Sequence, residues 1–183
     1  MQYQPLFPEL GLLTQGDERA FAVTSTDDQY RYLLGRSWSP LPWWVFGMLN
    51  PSRARHNTPD PTIKKCIGFA ERGGAGGILV VNLLPYSTPF PAELVQHYLA
   101  GMNVTGTCNG EVLEWALNHP RCGRILAAWG SIPARVLDVV QVSMSRFLMS
   151  SPDCLGINRD GSPKHPSRIG YGSPIVEYRR SRT

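Results

Sequence analysis

The sequence predicts an α/β fold, a three-layer αβα sandwich with a central, mainly parallel sheet of about four strands and an N-terminal edge strand. Three observations predict it. Short apolar runs recur, each is followed by a loop rich in Gly, Pro, Asn or Ser, and helical stretches lie between them. The runs are continuously apolar, as expected of parallel strands covered by helices on both faces. At 183 residues the chain suits one domain, divided into a peripheral lead-in (1–29), an α/β core (30–172) and a basic C-terminal tail (173–183).

The lead-in reads as helix or loop and stops at Thr26-Asp27-Asp28. Tyr30 to Trp38 (YRYLLGRSW) has the aromatic and branched content of a strand and is expected at a sheet edge, with SPLPWW turning the chain out of it. The four later runs are WVFGML before Asn50, GILVVNL around Asn82, RILAAWG before Ser131 and CLGI before Asn158. Helices are expected at Asp60 to Arg72, Pro91 to Ala100, Glu111 to Leu117 and Pro133 to Met149. Pro61 just inside the first and Gly73-Gly74 just past its end mark its limits. In such sheets ligands bind beyond the carboxyl ends of the strands, so the loops at Asn50-Pro51-Ser52, Asn82 to Tyr86, Gly130-Ser131 and Gly161 to Gly172 should converge on one edge.

Composition narrows the function classes. Hydrophobic residues make up 42% and charged residues 17%, which excludes bulk disorder and coiled coil. No run is long enough to span a membrane and the polar start MQYQPLFPEL lacks the pattern of a signal peptide, so a cytoplasmic location is expected. The four cysteines, Cys66, Cys108, Cys122 and Cys154, have no C-x-x-C spacing and read as reduced thiols. With no H-x-x-x-H spacing or acidic cluster, neither a metal nor a cofactor is expected, and no obligatory protein partner is evident. The net charge of +4 and a pI of about 9.0 are compatible with nucleic acid. Arg179, Arg180 and Arg182 form either a solubilising tail or a phosphate-binding arm.

Several residues stand out chemically, each with two readings. Asn50 precedes a proline that holds it out of the helical region, so it either turns the chain or presents its amide. Asn82 ends an apolar strand, where an unpaired amide costs about 1 to 3 kcal/mol; it bonds to backbone or faces a polar ligand. Asp60 is either the cap of the first helix or a cleft residue beside Asn50. His165 is either an ordinary surface histidine or an imidazole held in place by Pro163 and Pro166, which frame and fix its loop, whereas His56, His97 and His119 lack such framing. No G-x-S-x-G elbow or Walker-type loop is present, and the glycines of GGAGG (Gly73 to Gly77) precede a strand and read as a turn.

Taken together, MLNPS, GGILVVNLLPYSTPFP, RILAAWGS and KHPSR resemble the uracil-DNA glycosylase superfamily in order and approximate spacing, over roughly Trp44 to Gly172. More closely, the chain resembles a family of uncharacterised bacterial and phage domains with an LNPS, DPT-I, VVNL, AWG and G-x-P-x-HP pattern. The resemblance implies a base-flipping DNA glycosylase, a hydrolase of DNA repair or of modified pyrimidines, with DNA or a nucleotide as its partner. It implies that Asn50 orients the attacking water and His165 stabilises the departing base, the two catalytic roles. Asn82 would select the base, Ser52, Asp60 and Ser131 would line its pocket, and Arg53, Ser167, Arg168, Arg179 and Arg180 would face DNA.

The chain also departs from the family pattern. Asn50 stands where the fastest members have a carboxylate, Ser52 where they have a bulky Tyr, and Arg168 where an apolar wedge enters the duplex. Asn cannot accept a proton, so hydrolysis would lean on leaving-group stabilisation. Two alternatives share the pocket: an enzyme modifying a nucleotide or base, and a non-catalytic reader of modified bases.

Overall fold

The computed structural model describes residues 5–52 and 60–179. It is a mixed α/β fold on one eight-stranded sheet. The strands are β1 (Leu13–Gly16), β2 (Ala20–Thr24), β3 (Arg31–Ser37), β4 (Trp43–Met48), β5 (Gly77–Asn82), β6 (Cys122–Ala127), β7 (Asp153–Cys154) and β8 (Val176–Glu177), in the order β1-β2-β3-β5-β4-β6-β7-β8. The helices are α1 (Pro61–Arg72), α2 (Pro91–Leu99), α3 (Asn109–Leu117) and α4 (Gln141–Met149).

The four expected strands are the parallel centre, β5-β4-β6-β7. The sheet as a whole is larger than expected, and four of its seven pairings are antiparallel. β3 lies inside the sheet, between β2 and β5, because the lead-in supplies two further strands. A tight turn makes this possible. Gly16 has φ +97° and its place would put a Cβ 2.0 Å from the Ala20 carbonyl oxygen, while Asp17 accepts from the Arg19 and Ala20 amides at 2.8 and 3.0 Å. At the other edge β8 pairs with β7, and Tyr178 is buried edge-on against Trp129, so residues 173–179 are partly docked. The segment after Pro133 forms only a short 3-10 turn, Ala134–Val136, before α4 begins at Gln141.

Alternate residues of the central strands enter two separate cores. Trp44, Phe46, Ile78 and Val80 pack with Ile63, Cys66 and Phe69 of α1. Val45, Leu79 and Val81 pack with Val112 and Leu113 of α3 and Met144 and Phe147 of α4. The connection from β4 to β5 therefore runs over one face and that from β5 to β6 over the other. β4 sits between β5 and β6, so the loops after β4 and β6 leave in opposite directions and open a crevice at the carboxyl edge. β3, antiparallel to β5, begins at that same edge and delivers Arg31 to it. Among the described residues, no helix is long and apolar enough to cross a membrane.

Candidate functional site

The crevice is a cleft of about 510 Å³, within the range of small-molecule sites. Asn50, Ser52, Asp60, Asn82, Ser131, His165, Ser167 and Arg168 all line it. Met48, Leu49, Ile63, Val80, Trp129 and Ile169 give it apolar walls.

Asn82 is the last residue of β5 and only 1% exposed. Its Nδ2 donates to the Arg31 carbonyl at 3.3 Å, while Oδ1 is buried with no hydrogen-bond partner. A buried carbonyl left so costs about 1 to 3 kcal/mol. The backbone carbonyls of Asn82 and Leu83 are held by Nδ2 of Asn109, at 3.0 and 3.2 Å, which fixes the strand end. Asn82 thus serves the backbone through its amide nitrogen, while the residue lines the cleft and its buried oxygen is left without a partner.

Asn50 points its Nδ2 at the Thr88 carbonyl (2.8 Å) and at the Pro51 carbonyl (3.2 Å). With its donors so placed, the amide can act toward a ligand or water chiefly as an acceptor, through Oδ1. Asp60 is both cap and cleft residue. Oδ1 accepts from the Ile63 amide at 2.9 Å and caps α1, while Oδ2 accepts a hydrogen bond from the Ser52 hydroxyl.

His165 precedes a short 3-10 turn, Pro166–Arg168. Its Nδ1 lies 2.8 Å from the Ser167 hydroxyl and accepts from the Ser167 amide at 3.4 Å. Nδ1 thus acts as an acceptor, which leaves Nε2 to carry the proton of the neutral ring. Burial pushes the imidazole below its ordinary value of 6.5; Arg168 adds to that and Asp60 opposes it. The ring is therefore a neutral donor near pH 7. Its loop is held from outside by Lys65, which donates to the Ile169 carbonyl at 2.9 Å.

Ser131 follows Gly130, whose φ of +71° turns the chain out of the β6 segment. Its hydroxyl donates to Asp160 at 2.5 Å and tethers the loop above the cleft, an engagement the sequence did not reveal. Hydrogen bonds from Ser131 and Ser162 hold the Asp160 carboxyl down at about 2. Arg179 is not among the cleft residues and pairs with Glu177 at 2.8 Å on the surface. Arg53 and Arg180 lie outside the described residues. Two cations that sequence reasoning passed over also line the cleft, Arg31 and Lys164. Arg31 carried a signal, as a charged residue inside an aromatic and aliphatic strand.

One family model, described as protein of unknown function (DUF1643), matches residues 31–167. The chain belongs to the DUF1643 family. The match runs from Arg31 to Ser167 and so encloses Asn50, Asp60, Asn82, Ser131 and His165 while leaving out β1, β2 and β8. No curated protein and no solved structure matches this DUF1643 chain. Among the described residues, no group of three or more His, Cys, Asp or Glu side chains could hold a metal ion.

Proposed function

We propose that this chain is a cytoplasmic DNA glycosylase-like hydrolase, with a uracil-DNA glycosylase-like core, that takes a flipped pyrimidine base, 5-substituted bases included, into the cleft and hydrolyses its N-glycosidic bond. The observation that carries the reading is His165, a neutral imidazole held by Ser167 so that Nε2–H donates, on the same cleft as Asn50 and the partnerless Asn82 oxygen. When the bond from the sugar to the base breaks, its electron pair passes to the base and develops negative charge on a ring carbonyl oxygen. A neutral donor aimed there stabilises that charge without prior proton transfer. Asn82 Oδ1 would accept from the ring N–H of the bound base. Asn50 Oδ1 would orient a water toward the sugar carbon, and the water's proton would pass to solvent.

A second reading, modification of a base or nucleotide without hydrolysis, draws on one observation. The single carboxylate among the described cleft residues, Asp60, has both oxygens engaged by Ser52 and Ile63, so it is poorly placed to accept a proton from water. The test is incubation with oligonucleotides carrying uracil, thymine or 5-substituted uracils, followed by alkali. Strand breaks at the target base support glycosidic cleavage; intact strands with an altered base support the second reading instead.

A further inference from the structure

Phe90 is 56% exposed and stands between two residues that line the cleft, Pro89 and Pro91. Local stability does not explain a phenylalanine there. It is the N-cap of α2, where Ser, Thr, Asp or Asn would supply a side-chain acceptor, and its ring caps nothing. Tyr86 packs edge-on against Tyr30 at 5.8 Å and Tyr171 against Phe69 at 5.0 Å, whereas Phe90 meets no other ring among the described residues.

The main chain beneath that ring is nonetheless fixed. The Thr88 hydroxyl donates to the Glu93 carboxylate in the first turn of α2 and accepts from the Phe90 amide at 3.3 Å. The Thr88 amide donates to the Pro51 carbonyl at 3.1 Å, and its own carbonyl accepts from Asn50 Nδ2 at 2.8 Å. Pro91 holds Phe90 extended, with φ −117° and ψ 115°. The ring thus sits on a stiff ridge keyed to Asn50, and little backbone freedom is lost when a partner covers it. Lys164 and Arg168 add two cations to the lining of the same cleft. An exposed ring beside a basic cleft suits a nucleic acid strand, bases for the ring and phosphates for the cations. A free nucleoside offers neither a second base nor a chain of phosphates.

We propose that Phe90 stacks on the base next to the one held in the cleft, on the same strand. The inference rests on the reading that the cleft takes a base out of a polynucleotide. Drawing one base out uncovers a face of its neighbour, and an apolar ring held at the rim replaces the lost stacking partner. The contact tolerates any sequence, since every base has such a face. Phe90 binds the strand and takes no part in bond breaking.

The test is titration of the full chain with a single-stranded oligodeoxyadenylate carrying one central deoxyuridine. The same strand is also used with the nucleotide on either side of the deoxyuridine replaced in turn by an abasic spacer, and free deoxyuridine is titrated alongside. Phe90→Ala should weaken binding of the intact strand roughly fivefold or more, the worth of one stacked base, and Phe90→Trp should retain it. Free deoxyuridine should bind the parent and both variants alike. One of the two spacers should weaken the parent as much as Phe90→Ala does and cost that variant nothing more. Unchanged strand affinity in Phe90→Ala overturns the proposal, as does an equal loss for free deoxyuridine, which would place the effect in the Thr88–Asn50 frame. So do additive losses from the variant and both spacers, a Phe90→Trp variant as weak as Phe90→Ala, and a parent that does not bind the strand. The expected losses without alkali-labile sites would remove the hydrolase reading and leave the stacking standing; such sites made by a Phe90→Ala variant of unchanged affinity would do the reverse.

Discussion

The two ends of the sheet handle buried polar groups differently. At the amino end, Arg121 donates to the carbonyls of Ser39 and Leu41, the latter at 2.9 Å, reaches the Ser37 hydroxyl at 3.4 Å and lies 4.3 Å above the Trp43 ring. This half-buried cation staples the strand ends at the margin of a second cleft, which Glu18, Arg19 and Trp38 also line. At the carboxyl end, Arg31, Asn82 and His165 line a cleft, and the Asn82 oxygen has no partner. The amino end has a partnerless donor as well, Trp43 Nε1, but it lies against packed chain at Gly77 and lines no such cleft. A missing hydrogen bond therefore points to a ligand only where space adjoins it.

The largest test of that contrast is His165→Ala. Losing one donor to a developing oxyanion should slow single-turnover cleavage by about 2.7 to 4 kcal/mol, or roughly a hundred- to a thousandfold, with substrate binding little changed. A variant that turns over at the parent rate would reduce His165 to a loop residue. If the proposed hydrolysis uses the neutral ring, the acid limb of the parent's rate profile should lie below pH 6.5, because burial and Arg168 lower the folded value. The same shift makes a stability contribution that is fully present above the unfolded value near 6.5 and is lost as pH falls through the lower folded value. Proton-detected titration of the ring gives the value directly; a midpoint above 6.5 would break this assignment.

Arg121→Ala tests the other end. It should lower unfolding free energy by about 1 to 3 kcal/mol, since carbonyls lose a charged donor, and should leave ligand affinity unaltered. Denaturant unfolding paired with a binding titration checks both halves. A loss of affinity at unchanged stability would mean that the amino end is no mere staple.

Ser52→Tyr fills the side of the cleft facing Arg31 and removes the hydroxyl bonded to Asp60. Binding of 5-substituted pyrimidines should weaken by about 1 to 3 kcal/mol relative to uracil. Equal weakening of all bases would show that position 5 does not face Ser52.

How much of this was legible in the sequence differs by element. The parallel strands were readable because a strand buried on both faces needs a continuous apolar run, and GILVVN supplies one. β1 and β2 were not. LTQG at a sheet margin is only partly buried and carries no period-2 signal strong enough to separate it from a loop. Missing that hairpin placed β3 at an edge and hid the consequence that its first residue, Arg31, faces the site. Asn82 and His165 could be singled out because polar groups in apolar or proline-framed settings are unusual, while the engagement of Ser131 with Asp160 depends on a contact across 29 positions that no local pattern encodes.

The smallest expected effect is that of Asn82→Leu on stability. It removes a buried acceptor without a partner and one long hydrogen bond of 3.3 Å, so unfolding free energy should change by no more than about 1 kcal/mol. Chemical denaturation measures it, and a loss of several kcal/mol would make Asn82 a structural residue first.

In the proposed complex the Asn82 oxygen would accept from the ring N–H of the bound base, and the most direct measurement compares thymidine with 3-methylthymidine, which lacks that N–H. The parent should bind thymidine roughly tenfold or more tightly than the methylated nucleoside, and Asn82→Leu should bind the two alike. Equal affinity of the parent for both would contradict the account.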